Sequence, residues 1–236
     1  MENVAAANAL ENLLQQDARI LILAPHPDDE CLGTGGLIQQ ALAKGAKVKV
    51  IFITNGDNNP WPQRYLEKRW SIGPDERMRW GQRRKIEAVN SLEILGNGKV
   101  ATAFLGLPDA GILNLWKEGD HSLLENLTSE FIAWQPTLLV LPSEFDRHSD
   151  HRATHLFGRI ALGETSNKCR VITYLIHRPW LMKLTRKPKP QIKLELSPLE
   201  QDKKLQAILC HKTQMALSQS RFSKFAQPTE PFNFSL

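Results

Sequence analysis

Short apolar runs separated by helix-length segments constrain this chain more than any other feature of its sequence. Residues 19–24 (RILILA), 47–54 (KVKVIFIT), 101–105 (ATAFL) and 137–141 (TLLVL) read as buried strands. Residues 33–44 lie between the first two runs, with Leu37, Ile38, Ala41 and Leu42 on one side and Gly45 where a helix stop belongs. Helices are expected again over 87–95, stopped by Gly96, over 121–134, ended by Pro136, and over 150–162. Strands at 169–176 and 191–196 and a helix at 199–217 follow. Apolar strands alternating with helices imply an α/β fold, a mostly parallel sheet with helices on both faces. At 236 residues this is one domain with a substantial core rather than two.

Open α/β sheets bind ligands where strands end at their carboxyl edge. After the first strand stands Ala24-Pro25-His26-Pro27-Asp28-Asp29-Glu30. Pro25 and Pro27 restrict the backbone around His26 and so fix its direction. Neighbouring Asp28 and Asp29 point to opposite sides of an extended chain. One can ligate a metal while the other faces a coordinated water, a division suited to hydrolysis. An acidic turn capping the helix near Gly33 would account for the carboxylates, but not for a histidine between two prolines. The glycines Gly33, Gly35 and Gly36 form GxGG after an acidic run, which would set phosphates against carboxylates.

After the fourth strand stands Pro142-Ser143-Glu144-Phe145-Asp146-Arg147-His148-Ser149-Asp150-His151. His148 and His151, three apart at a helix entry, lie on neighbouring positions of one helical face. Zinc takes imidazole and carboxylate ligands, and a catalytic site keeps three protein ligands. His26, Asp29 and one of these two histidines complete such a set. The other is free to act as an acid or electrostatic stabiliser, oriented by Asp146 or Asp150. His155 is read as a packing or solvent-facing residue, and His121, His177 and His211 are assigned to no metal.

These motifs together resemble the PIG-L/LmbE family of metal-dependent de-N-acetylases. The (A/P)HPDDE signature stands at residues 25–30 and HxDH at 148–151. Arg84-Lys85-Ile86-Glu87 with Glu93-Ile94-Leu95-Gly96 is similar to the family's central RxxE…LG helix. Residues 104–111 (FLGLPDAG) are similar to its "fLglpDg" segment, and 204–214 (KLQAILCHKTQ) to its HxSQ helix, with Thr213 replacing serine. The likeness covers about residues 19–216 and implies a Rossmann-like single domain over 1–236. It implies zinc, or alternatively Fe2+, on His26, Asp29 and His151. It further implies Asp28 as general base, His148 in protonated form supporting the oxyanion, Asp150 orienting His148, and Arg84 and Asp109 contacting substrate. Some relatives carry a tyrosine two residues before the first histidine of HxDH; here that position is Asp146. The activity implied is removal of an acetyl group from an N-acetylated sugar, either a small molecule or lipid-linked. An amidase on a non-sugar or thiol-conjugate substrate and a metal-binding protein without catalysis are the alternatives.

A net charge of +5 is spread along the chain, so no nucleic-acid partner is expected. Three cysteines without a CxxC pair suit a reducing, cytoplasmic setting, and no signal peptide or transmembrane run is read. Residues 57–82 interleave Trp61, Tyr65, Trp70 and Trp80 with Arg64, Arg69, Arg77 and Arg79. They are expected to form a substrate-facing wall or lid, or else to pack on the domain. The basic stretch 183–193 is a solvated loop or a peripheral membrane contact, and residues from Gln227 read as an extended tail.

Overall fold

The computed structural model describes residues 10–178 and 190–235. Seven strands make one sheet in the order β3-β2-β1-β4-β5-β7-β6. Strands β1 (Arg19–Ala24), β2 (Lys47–Thr54), β3 (Val100–Leu107), β4 (Leu138–Pro142) and β5 (Arg170–Tyr174) run parallel. The last two, β6 (Ile192–Glu195) and β7 (Thr229–Phe234), pair antiparallel with each other, and β7 pairs antiparallel with β5. In register, Ile20 meets Val48 on one side and Leu138 on the other.

The two-residue pleat then divides each strand between two cores. Ile20, Ile22, Val48, Val50, Leu138 and Val140 face one, with α1 (Asp29–Ala43), α3 (Pro74–Gly96) and α7 (Pro198–Leu209) over them. Leu21, Leu23, Ile51, Ile53, Leu139 and Leu141 face the other, beneath α5 (Ser122–Trp134) and α6 (Ser149–Gly163). Shorter helices α2 (Pro60–Glu67), α4 (Ile112–Lys117) and α8 (Lys212–Phe222) border the carboxyl edge or the chain that returns from it.

Three elements differ from the sequence reading. Helix α1 begins at Asp29, so the acidic motif is its first turn and not a lead-in to Gly33. The GxGG segment serves packing: a Cβ on Gly33 would strike the Tyr174 ring, and one on Gly36 would strike Leu196. The helix expected at 199–217 is two helices broken at Cys210 and His211, where His211 turns inward to Glu30 and Thr213 is held by Glu87. The C-terminal segment is no loose tail, because residues 229–234 enter the sheet between β5 and β6. Phe232 is fully buried, and the Glu230 carboxylate meets Lys204 Nζ at 2.6 Å with both side chains inside. That carboxylate also accepts the backbone N–H groups of Gly36 and Leu37, fastening the C-terminus to α1. Of the basic stretch 183–193, residues 183–189 lie outside the described residues. Among the described residues, no helix is long and apolar enough to cross a membrane.

Candidate metal and acid–base site

The two motifs meet because β1 and β4 are adjacent and parallel, which brings the segments after Ala24 and Pro142 to the same sheet edge. Asp29 is the centre of the cluster. Its Oδ2 lies 3.2 Å from His26 Nδ1 and 3.2 Å from His151 Nε2, and it accepts the backbone N–H of His26 at 3.0 Å. Burial favours the neutral acid, but the two imidazoles outweigh it and hold Asp29 well below the usual carboxylate range.

Each of these histidines has its far nitrogen against another carboxylate. His26 Nε2 faces Asp109 Oδ1 at 3.1 Å and Asp150 Oδ2 at 3.4 Å, and His151 Nδ1 lies 3.1 Å from Asp146 Oδ2. Asp146, 1% exposed, is itself fixed by the backbone N–H groups of His148, Ile176 and His177. Carboxylate-backed imidazoles are the usual surroundings of a metal ligand. Neither His151 nitrogen makes a well-aligned hydrogen bond, despite full burial and close carboxylates. A buried imidazole without a hydrogen bond beside an anionic oxygen is a donor set that fits a divalent cation. Among the described residues four trios have all their donor atoms within 4.8 Å of one another: His26–His148–His151, Asp29–His151–His177 and His26–Asp109–Asp150 at the crevice, and Glu30–Cys31–His211 behind it.

Asp28 stands apart from this cluster of donors. Its φ of 132° is a strained value for a residue with a side chain. The Glu30 carboxylate accepts the Asp28 backbone N–H at 2.8 Å, and Arg84 Nη2 donates to Asp28 Oδ2 at 3.0 Å. Burial, partly offset by Arg84 and reinforced by Asp29, raises its carboxyl to about 6. Glu30 in turn accepts from Ser91 Oγ at 2.9 Å and lies 3.0 Å from His211 Nε2, all inside the protein. His148 is half-buried, and its Nδ1 accepts the Asp150 backbone N–H at 3.3 Å, which leaves its ring proton on Nε2.

The contacts of Asp150, His148, Arg84 and Asp109 add to the sequence expectations. The Asp150 carboxylate turns to the Ala110 N–H and to His26, not to the His148 ring. Burial and the neighbouring His26 and His151 lower the His148 pKa. Arg84 is buried and spends its terminal nitrogens on Gly56 O, Pro27 O and Asp28, while Asp109 is engaged by His26 and the Asn58 N–H. Both nonetheless line the crevice. His177 joins the cluster unforeseen. Its ring centroid lies 5.0 Å from that of His151, and burial with His151 beside it depresses its pKa to about 4. The 57–82 segment reaches the crevice through Asn59 and Pro62; Trp61, Tyr65 and Trp70 are exposed and Trp80 is buried.

A family model described as "PIG-L: GlcNAc-PI de-N-acetylase" matches residues 21–162, which include both motifs and the helix between them. The chain belongs to the PIG-L family. Among curated proteins, this PIG-L chain is 29% identical over 159 residues to a 1D-myo-inositol 2-acetamido-2-deoxy-alpha-D-glucopyranoside deacetylase of Corynebacterium glutamicum, covering 62% of the chain. It spans about half the length of that relative, 53%. The fold is shared with the N,N'-diacetylchitobiose deacetylase of Pyrococcus horikoshii at a TM-score of 0.65 and 21% identity, over 97% of this chain and 92% of that one. It is shared equally with GalB, the 4-carboxy-2-hydroxymuconate hydratase of Pseudomonas putida, at a TM-score of 0.65 and 20% identity over 88% and 82%. At such identities the likeness speaks for the fold alone.

Proposed function

We propose that this PIG-L chain is a zinc-dependent hydrolase that removes the acetyl group of an N-acetylated sugar. The carrying observation is a carboxylate, Asp28, kept out of the cluster of metal donors yet aimed into the same crevice and poised near neutrality. A metal-binding protein without catalysis has no need of it. His26, Asp29 and His151 are the proposed ligands, with Fe2+ as the alternative occupant. When bound, the ion supplies Lewis acidity toward the amide carbonyl and lowers the pKa of water toward about 7.

The chain's own groups then divide the proton work. Asp28 Oδ takes the proton of the attacking water and returns it to the leaving amine. His148 Nε2–H donates to the oxygen on which negative charge develops, a role for which a neutral imidazole suffices. Asp146 and the Asp109–Asp150 pair keep His151 and His26 in orientation, and Arg84 with Glu30 sets the rotamer and backbone of Asp28. The sugar identity draws on the curated relative's acetamido-sugar substrate. The three cysteines are free, which suits the cytoplasm.

Acetate release tests the reading. Purified protein, stripped with a chelator and reloaded with zinc, is screened over N-acetyl sugars, nucleotide sugars and glycolipids. Metal-dependent acetate from at least one N-acetyl sugar is expected. Turnover that survives chelation, or hydration of an unsaturated acid with no acetate from any sugar, would overturn it.

A further inference from the structure

His211 is fully buried and takes no part in the proton work of the site. It stands at the break between α7 and α8. Its N–H donates to Ile208 O, and its carbonyl accepts the N–H groups of Gln214 and Met215 at the start of the next helix. The break turns the imidazole inward, where Nε2 lies 3.0 Å from Glu30 Oε1. A carboxylate only accepts, which puts the ring proton on Nε2. Nδ1 has no hydrogen-bond partner among the described residues. An unpaired nitrogen in the interior is destabilising, and an apolar side chain would fill the same space without it. The bond to Glu30 is therefore what distinguishes this ring from core packing.

Glu30 uses both carboxylate oxygens. Oε1 takes the donors of His211 and Ser91, and Oε2 accepts the Asp28 backbone N–H at 2.8 Å. Donors on Oε1 fix the plane of the carboxylate and so keep Oε2 on Asp28. That hold matters because a φ of 132° persists only where the surroundings over-determine it. Arg84 grips the Asp28 side chain, and the Leu32 N–H and Cys31 Sγ reach its carbonyl; its N–H is left to Glu30. We propose that His211 is a positioning residue, which acts through Glu30 to hold the Asp28 backbone in the conformation that aims the base into the crevice. Gln214, Ser218 and Phe222 of α8 line that crevice, so the helix that walls it also sets the base. The role of Asp28 as base rests on the deacetylase reading.

The test uses zinc-loaded full-length protein and two amides of different reach. In His211→Gln the amide nitrogen takes the place of the imidazole Nε2, whereas in His211→Asn the donor stops one methylene short of Glu30. Acetate release from the methyl glycoside of N-acetylglucosamine is one readout. Hydrogen exchange of the Asp28 N–H by NMR is the other, and it needs no turnover. His211→Asn should lose about 10–100-fold in kcat with KM and zinc content little changed. Its Asp28 N–H should exchange about tenfold faster or more, while the Ile38 amide in the same helix keeps the parent rate. His211→Gln should return both readouts to within about threefold of the parent. A role in folding alone would lower Tm, speed exchange along the whole of α1 and treat the two amides alike; that result would overturn the proposal. So would an Asp28 N–H that exchanges equally in His211→Asn and the parent. Where His211→Asn does not fold, His211→Gln decides: near-parent kcat and exchange support the proposal, and a loss of about tenfold or more in kcat with zinc and Tm unchanged overturns it. If no N-acetyl sugar yields acetate while exchange at Asp28 follows the reach of the donor, the deacetylase reading fails and the positioning role stands.

Discussion

Glu230→Ala tests whether the C-terminal strand is part of the folded unit. The side chain is 1% exposed, and its carboxylate faces an ammonium, Lys204 Nζ, that is equally buried. Removing one member of a buried pair leaves the other charge without compensation, at a cost of about 3–5 kcal/mol. A domain of this length loses about 2–4 °C in Tm per kcal/mol, so the expected fall is about 6–20 °C. Circular dichroism melts and urea titrations on the metal-loaded protein measure it. The double variant Lys204→Met/Glu230→Leu should regain part of the loss, because apolar groups replace the buried ion pair at little cost while the bonds from the Gly36 and Leu37 N–H groups stay lost. A Glu230→Ala protein melting within about 2 °C of the parent would refute the assignment of β7 to the cooperative unit.

Three further outcomes follow from the site. Glu30→Gln keeps the shape of the side chain but weakens its hold on the Asp28 N–H and on His211; kcat should fall by about 10–100-fold with KM and metal content little changed, as steady-state kinetics with metal analysis would show. Asp146→Asn removes the charge behind His151 and should weaken zinc binding by about 10–100-fold, read by chelator competition; unchanged affinity would remove Asp146 from the account. Thr213→Val deletes the hydroxyl given to Glu87 and should cost about 1.5–3 kcal/mol in urea unfolding, whereas Thr213→Ser should cost far less, since the hydroxyl is what Glu87 accepts.

The parts of this protein that were legible in its sequence are those set by local pattern. Strands β1 to β5 declare themselves by apolar runs, and the two histidine–aspartate motifs are placed by the rule that sites gather at the carboxyl edge. What supports them was hidden because it comes from chain far away. His211 reaches Glu30 across 181 residues and Asp109 reaches His26 across 83, so neither partnership has a spacing to read. His177 follows an ordinary strand with no motif around it, and only the packing of β5 beside β4 carries it to His151. The strand at 229–234 contains Pro231 and follows a helix and a loop; its membership in the sheet depends on Phe232 and Glu230 finding the interior. Arg84 and Asp109 show the converse. Family likeness marks them as substrate contacts, while the structure sets their polar atoms on Asp28, His26 and nearby backbone.

The central claim is that a metal site and a separate carboxylate base share one crevice. Acetate release by zinc-loaded wild type and Asp28→Asn, with zinc per chain measured on the same samples, tests it most directly. Equal zinc in both and a loss of about 10²–10⁴-fold in kcat for the variant are expected. Asp28→Asn turning over at the wild-type rate with its zinc in place would contradict it.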